Sequence, residues 1–171
     1  VYAKEYIRKG GIVFPVELRT FLIRNKNGQP AAMWAIVRDV TERRRTEERM
    51  QLAQQIFDIA SEAIFVSDLQ GNLLDINAEA CRLAKYTREE MLRLRNVDIV
   101  AQEETQRIAP ELARCDAGSV VEQRWLLRCS DGSTVPLDLV VQRLPGARYL
   151  AIGRDLTERE KVLGQLAQAR D

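Results

Sequence analysis

Residues 126–144 read LLRCSDGSTVPLDLVVQRL, and residues 6–23 read YIRKGGIVFPVELRTFLI. Gly11-x-x-x-Pro15 in the earlier stretch recurs as Gly132-x-x-x-Pro136, 121 residues on. Arg38-Asp39-Val40-Thr41-Glu42-Arg43 recurs as Arg154-Asp155-Leu156-Thr157-Glu158-Arg159, 116 residues on. The offset changes in a connecting turn, where residues 25–30 (NKNGQP) stand against Pro145-Gly146, and loops are where repeats vary. A repeat this long does not suit a solenoid and marks tandem domains. Average domain size would assign the 171 residues to one domain. The repeat instead predicts the end of one domain followed by the whole of a second. The chain begins at Val1 and reads as a piece of something longer.

Periodicity extends the reading. Val121, Gln123, Trp125, Leu127 and Cys129 alternate with Glu122, Arg124, Leu126 and Arg128, a strand with one mostly apolar face. Asp131-Gly132 supplies the positive φ of a hairpin turn. A second strand alternates Val135, Leu137, Leu139 and Val141 with Thr134, Pro136, Asp138 and Val140, and Pro145-Gly146 turns into a third over 149–154. The first copy repeats this meander over 1–9, 13–24 and 31–38. Upstream of the second meander, 63–67 and 72–77 read as short strands, 78–84 and 88–93 as short helices, and 103–114 as a longer helix. The expected fold is α+β: a five-stranded antiparallel sheet with helices on one face, preceded by a three-stranded partial meander and a connecting helix. Residues 41–60 contain no Gly or Pro and form that helix. Asp39-x-x-Glu42 has capping-box spacing, with Thr41 as a competing cap, and Asp155-x-x-Glu158 and Thr157 repeat it.

Composition narrows function. Lys plus Arg number 26 and Asp plus Glu 25, so the whole chain has no electrostatic pull toward nucleic acid or anionic membrane. There is no His, which excludes Ser-His-Asp and Cys-His nucleophiles and His-ligated haem. Cys81, Cys115 and Cys129 are scattered and form neither a disulfide framework nor a zinc site. They read as small core residues in a reducing, cytoplasmic protein. No apolar run is long enough to span a bilayer, although the parent protein could still be anchored to one. No Gly-rich phosphate loop is present, and Glu89-Glu90 are adjacent on a helix and cannot converge on one substrate. The chain is expected not to be an enzyme.

The stretch AIFVSDLQGNLLDINAEA at 63–80, the YTREEML segment at 86–92, Asp131-Gly132 and the two Asp-x-Thr-Glu-Arg ends together resemble the PAS domain family. Lys85 stands where that pattern usually has Gly. The resemblance implies residues 1–40 as the C-terminal strands of an upstream PAS domain, 41–60 as a connecting signalling helix, 61–157 as a complete PAS domain, and 158–171 as the start of an outgoing helix. It implies a bacterial sensory or relay module that passes a conformational change to an output domain, of histidine kinase (two-component) or diguanylate cyclase (cyclic di-GMP) type. The alternative is a ligand-free dimerisation scaffold.

Candidate residues follow. Asp39, Thr41, Asp155 and Thr157 either cap helices only or couple the sheet to the outgoing helix. Met50, Ala53, Phe57 and Ala60 form a coiled-coil-like stripe beside a second one of Leu52, Ile56, Ile59 and Ala63. The Met50, Ala53, Phe57 and Ala60 stripe is expected to serve a homodimer while the other packs on the domain's own sheet, the alternative being one broad core-facing stripe; Val162, Leu166 and Ala169 begin a similar one. The charged run at 42–49 reads as a solvated helix face. Gln123, Trp125 and Leu139 are the pocket candidates, set against a plain core Trp with Gln at the sheet margin. In light-sensing relatives Asn-Cys-Arg-Phe carries a flavin-adduct cysteine. The matching Arg95-Asn96-Val97-Asp98 has Val97 there, leaving a non-adduct flavin or another small molecule as the ligand. Three strands without their helices would expose Phe14, Val16 and Leu18, or their opposite-face neighbours, so these are expected to pack against a second chain or against the other PAS unit.

Overall fold

Both Gly-x-x-x-Pro stretches form hairpins. Gly11 and Gly132 each take φ +81°, and their amides close the turns on Arg8 O at 2.8 Å and Cys129 O at 3.0 Å. A residue with a Cβ would be strained at that φ. The structure is a computed structural model that describes residues 2–168. The chain divides into two compact units, Val1–Gln54 and Gln55–Asp171.

The first unit is an antiparallel sheet of β1 (Tyr2–Ile7), β2 (Val13–Arg24) and β3 (Pro30–Asp39), in the order β1-β2-β3. Val1, placed in the first strand by the sequence, lies outside the described residues. Paired residues share a face, so Tyr6, Phe14, Val16, Leu18 and Val37 lie on one side, and Ile7, Phe21, Trp34 and Ile36 on the other. Of the two faces the sequence offered for exposure, the one carrying Phe14, Val16 and Leu18 is the better covered. Val16 is buried and the other two are half-buried. The edge of the Tyr6 ring and the Arg8 guanidinium, 4.6 Å from the ring centroid, cover Phe14. On the opposite face Ile7, Val13, Trp34 and Ile36 are exposed, and on the Phe14 face Tyr2, Met33 and Val37 are exposed as well. Helix α1 (Thr41–Ile59) follows at once. Its charged start is solvated as expected, with Arg43–Glu47 at 3.3 Å and Arg45–Glu42 at 3.6 Å.

The second unit holds β4 (Ala63–Asp68), β5 (Leu73–Ile76), α2 (Ala78–Ala84), α3 (Arg88–Met91), α4 (Thr105–Asp116), β6 (Val121–Arg128), β7 (Thr134–Leu144), β8 (Arg148–Asp155) and α5 (Thr157–Gln168). The sheet order is β5-β4-β8-β7-β6. The α+β architecture read from the sequence is thus the one observed. One buried core joins the inner sheet face to the helices, through Phe65, Ile76, Leu83, Met91, Ile99, Leu127 and Leu137. Pro110 lies inside α4. Pro110 and Gln106, whose carbonyl would have been its partner, are both exposed, so water can serve the freed carbonyl.

Asn77 places the helical layer. It is fully buried. Its Oδ1 accepts from Ile64 N at 2.9 Å and Ala80 N at 3.0 Å, and its Nδ2 donates to Glu62 O at 2.9 Å. One side chain thereby caps α2 and ties it to β4. Thr87 and Glu90 form a reciprocal capping box on α3, which gives the second glutamate of the YTREEML segment a structural role. Lys85, at the position where the resemblance expects Gly, takes a left-handed φ of 57°. Its Nζ donates to Asp131 Oδ2 at 2.6 Å and Ser133 Oγ at 3.0 Å. That bond holds the Asp131 carboxyl far below the usual carboxylate range.

Asn77→Ala should strand the buried amides of Ile64 and Ala80, lowering the stability of the second unit by about 2–4 kcal/mol. Urea unfolding should show a lower midpoint at unchanged slope, and an unchanged midpoint would refute this role.

Candidate functional site

Two places in the second unit combine shape with chemistry: a cavity against the inner sheet face, and the junction where β8 becomes α5.

The cavity is about 90 Å³. Its walls come from β4 (Phe65, Ser67), the segment 96–100 (Asn96, Ile99, Val100), α4 (Ile108, Glu111, Leu112) and the strands β6–β8 (Trp125, Leu137, Leu139, Val141, Tyr149, Ala151). Trp125 and Leu139, two of the three sequence candidates, line it. Gln123 does not. It is half-buried on β6, where its Oε1 accepts from Arg107 Nη2 at 2.6 Å. This corrects its reading as a pocket residue, because a cation from α4 claims the amide. The same guanidinium lies 4.4 Å from the Trp125 ring centroid, so one ring face is already taken.

Arg107 and Glu104 are the residues sequence reasoning missed. Glu104 Oε2 accepts from Leu126 N at 2.7 Å. Ala101 N donates to Leu126 O at 2.9 Å, and Arg128 N to Ile99 O at 2.8 Å. The segment 99–104 therefore covers the free edge of β6, the outermost strand, as edge strands require. The only sequence signal was an i,i+3 acid–base pair at the start of an amphipathic helix, which is common on solvated surfaces.

The wall is mostly apolar. The Tyr149 hydroxyl donates to Asp116 Oδ1 at 2.7 Å, and burial together with that bond pushes its pKa up to about 12. Glu111 pairs with Arg114 at 2.8 Å. The indole N–H of Trp125 is buried and has no hydrogen-bond partner among the described residues. A buried donor left unpaired costs about 1–3 kcal/mol. Flavin does not fit these residues. The cavity is smaller than the ~150 Å³ that admits a single benzene ring, and a three-ring isoalloxazine is larger still. Val97, in the place of an adduct cysteine, sits in a short 3-10 turn, Asn96–Asp98. Cys115 and Cys129 are buried, with their Sγ atoms on the carbonyls of Val141 and Leu83. Burial raises the Cys81 and Cys115 thiols, so neither is a ready thiolate. No cluster of metal-ligating groups occurs among the described residues.

The junction repeats in both units. Asp155 Oδ1 accepts from Thr157 N at 2.8 Å, and Leu156 N donates to Pro136 O at 2.9 Å. Asp39 Oδ1 accepts from Thr41 N at 2.9 Å and Thr41 Oγ1 at 2.6 Å, and Val40 N donates to Pro15 O at 3.1 Å. The registers match too, with Val16 opposite Asp39 and Leu137 opposite Asp155. The capping-box expectation at Asp39 needs correcting. Arg44 N bonds Val40 O, so Asp39 stands one residue before the cap, and Glu42 turns to Arg45 instead of reaching back.

A family described as the PAS fold matches residues 57–161, and one described as the PAS domain matches residues 1–42. The chain belongs to the PAS domain family. Neither match is to a catalytic family, and PAS domains are in general sensory, non-catalytic modules. No curated protein matches the chain. Among solved structures, it is similar to a domain of a sensory box sensor histidine kinase/response regulator from Geobacter sulfurreducens. They share 26% identity at a TM-score of 0.58, over 64% of this chain and 96% of that one. The PAS domain of an HTR-like protein from Haloarcula marismortui shares 24% identity at TM-score 0.61, over 67% and 97%. The Rhodobacter sphaeroides LOV protein shares the fold at 15% identity and TM-score 0.54, over 65% and 69%.

The Tyr149 hydrogen bond makes stability depend on alkaline pH. The unfolded phenol ionises near 10 and the folded one near 12. Above pH 10 the unfolded state holds fewer protons than this PAS domain does, so stability should fall as pH rises toward 12. Denaturant midpoints should show that fall in the wild type and a shallower one in Tyr149→Phe. Equal slopes would contradict the assignment.

Proposed function

We propose that this chain is a sensory relay: a signal acting on the second PAS unit shifts its sheet, and the β8–α5 junction passes the shift to the outgoing helix. The observation that carries this reading is the junction itself, built twice with the same register and the same two hydrogen bonds. Leu156 N on Pro136 O ties the first turn of α5 to β7, and Asp155 ties it to the end of β8. A displacement of either strand therefore moves the helix start rather than being absorbed in a loop. Asp39, Thr41 and the Val40–Pro15 bond do the same where α1 leaves the first sheet. The shift is limited by how differently a ligand or upstream domain binds the two sheet states.

The output domain in this reading is of histidine kinase or diguanylate cyclase type, and the first suits the sensor kinase origin of the Geobacter neighbour. We assign the chain to the cytoplasm, where its three free thiols would stay reduced. No helix among the described residues is long and apolar enough to cross a membrane.

Homodimerisation through α1 is part of the proposal. No residue of that helix is buried. Met50, Leu52, Ile56 and Ile59 are exposed, Ile59 at 80%, whereas Phe57 and Ala60 of the first stripe are half-buried. Over Leu52, Ile56 and Ile59 the second stripe is the more open to a partner helix, but Ala63, counted in it from the sequence, is fully buried in β4 and does not belong to it. The same exposed face favours the alternative of a ligand-free scaffold. On α5 Val162 is exposed, and Ala169 of its predicted stripe lies outside the described residues.

Asp155→Ala removes a bond worth about 1 kcal/mol. Amide exchange at Thr157 and the next turn should speed up roughly fivefold while the sheet stays protected, and output in the parent protein should change. Unchanged exchange and unchanged output would refute the relay. Sedimentation should show a dimer that Leu52→Glu with Ile56→Glu returns to monomer. A wild-type monomer at high concentration would refute the dimer.

A further inference from the structure

A row of alternating charges crosses the second sheet on the face that turns away from Leu137 and the core. Asp138 on β7 stands opposite Arg154 on β8 and opposite Arg124 on β6, so the three side chains share one face as cross-strand neighbours. Glu62 extends the row on the β8 side: its Oε1 accepts from Arg154 Nε at 3.0 Å and Nη2 at 2.7 Å. Glu160 extends it on the β6 side, pairing with Arg124 at 2.6 Å. Glu62 comes three residues after Ile59, the last of α1, and Glu160 lies in the first turn of α5. We propose that these five are positioning residues for the relay: the row couples the end of α1 to the first turn of α5, so that a movement arriving from upstream reaches the outgoing helix without passing through the cavity. This rests on the relay reading above and adds a route to it.

The row is poised because Asp138 is left over. Half-buried between two arginines, it makes no ion pair or hydrogen bond among the described residues, while Arg154 is spent on Glu62 and Arg124 on Glu160. It is still close enough to act. The bond to Glu62 does most to hold Arg154 protonated above its ordinary range, and the Asp138 charge adds to that hold. Each arginine therefore has two carboxylates to choose between. If α1 draws Glu62 away, Arg154 falls to Asp138. Arg124 then loses the competing acid, is left to Glu160 alone, and holds the start of α5 more tightly. The first unit shows the same row without competition. By the repeat, Glu17 stands for Asp138 and Arg38 for Arg154, opposite each other in the same register. β1 places Ala3 opposite Glu17 where β6 places Arg124 opposite Asp138. With no arginine between, Arg43 of α1 reaches Glu17 directly at 2.8 Å. The second unit has one more charge in its row, and that insertion turns a fixed contact into a choice. An exposed ion pair shifts an equilibrium by at most about fivefold, which suits a bias on the helix rather than a lock.

Neutral substitutions of near-equal size in the full chain test the route. Glu160 N donates to Leu156 O at 2.9 Å, so amide exchange at 160–162, corrected for intrinsic rates, reads how firmly α5 is held at its start. Glu160→Gln should speed that exchange about threefold. Glu62→Gln, on the far side of the sheet, should slow it about twofold while the amides of β7 and β8 keep their protection. The slowing should disappear in Asp138→Asn, which removes the acid the two arginines share. It should also disappear in about 1 M salt, where the screening length falls to about 3 Å. An effect carried by fold stability alone would move the sheet amides together and persist in salt. No change in Glu62→Gln, faster exchange in it, or a slowing that survives Asp138→Asn or salt would overturn the route. So would unchanged exchange in Glu160→Gln. A silent Glu62→Gln beside an active Asp155→Ala would end the charge row and leave the junction relay in place, whereas a silent Asp155→Ala would end the relay itself.

Discussion

The second unit depends on one buried amide. Asn77 has no contact with water, and its oxygen and nitrogen serve Ile64 and Ala80 on one side and Glu62 on the other. β5 ends and α2 begins on either side of it, so the chain must turn there from the sheet onto its inner face. A polar side chain at that depth is stable only when satisfied, and satisfying it fixes both elements at once. The helical layer that follows, and the space it leaves above the sheet, inherit their position from this residue.

That space is bounded on its open side by a second polar device. The segment 99–104 gives the edge of β6 the partners an edge strand lacks, and Glu104 and Arg107 extend the seam with side chains. Closing the seam sends Arg107 over the indole of Trp125 and draws Gln123 away from the cavity. What remains lining the cavity is mostly apolar, with Ser67, Asn96, Glu111 and Tyr149 as its polar side chains besides the indole. Selectivity for a ligand would come from what the wall refuses as much as from what it binds.

The junctions belong to a different level of organisation. They involve no cavity, only an acid before a helix and the amide of the residue between strand and helix, Val40 or Leu156, on a proline carbonyl. Proline at that place has its carbonyl free to accept while offering no N–H of its own. Finding the same pair of bonds in both units shows that the two sheets hand on to their helices in one way. It also explains why the sequence repeat is strongest at those residues.

Much of this was legible in the sequence because it is local. Strand faces follow from alternation, hairpin turns from Gly11 and Gly132, and the abrupt helix starts from Asp-x-Thr after a strand. The helix read over 103–114 forms over Thr105–Asp116, with Pro110 inside it. The errors share a cause. The capping box at Asp39 had the right spacing, but backbone geometry at the strand end makes Val40 the cap in place of either Asp39 or Thr41. Gln123 has pocket-facing periodicity, but a side chain 16 residues away takes its oxygen. The sequence alone determined the repeat, the order of elements and which faces are apolar, since these depend on neighbours one to four residues apart. Only the tertiary structure decided that Trp125 keeps an unpaired N–H, that Arg107 lies over its ring and that the cavity is small, because each depends on distances between elements the chain does not join directly.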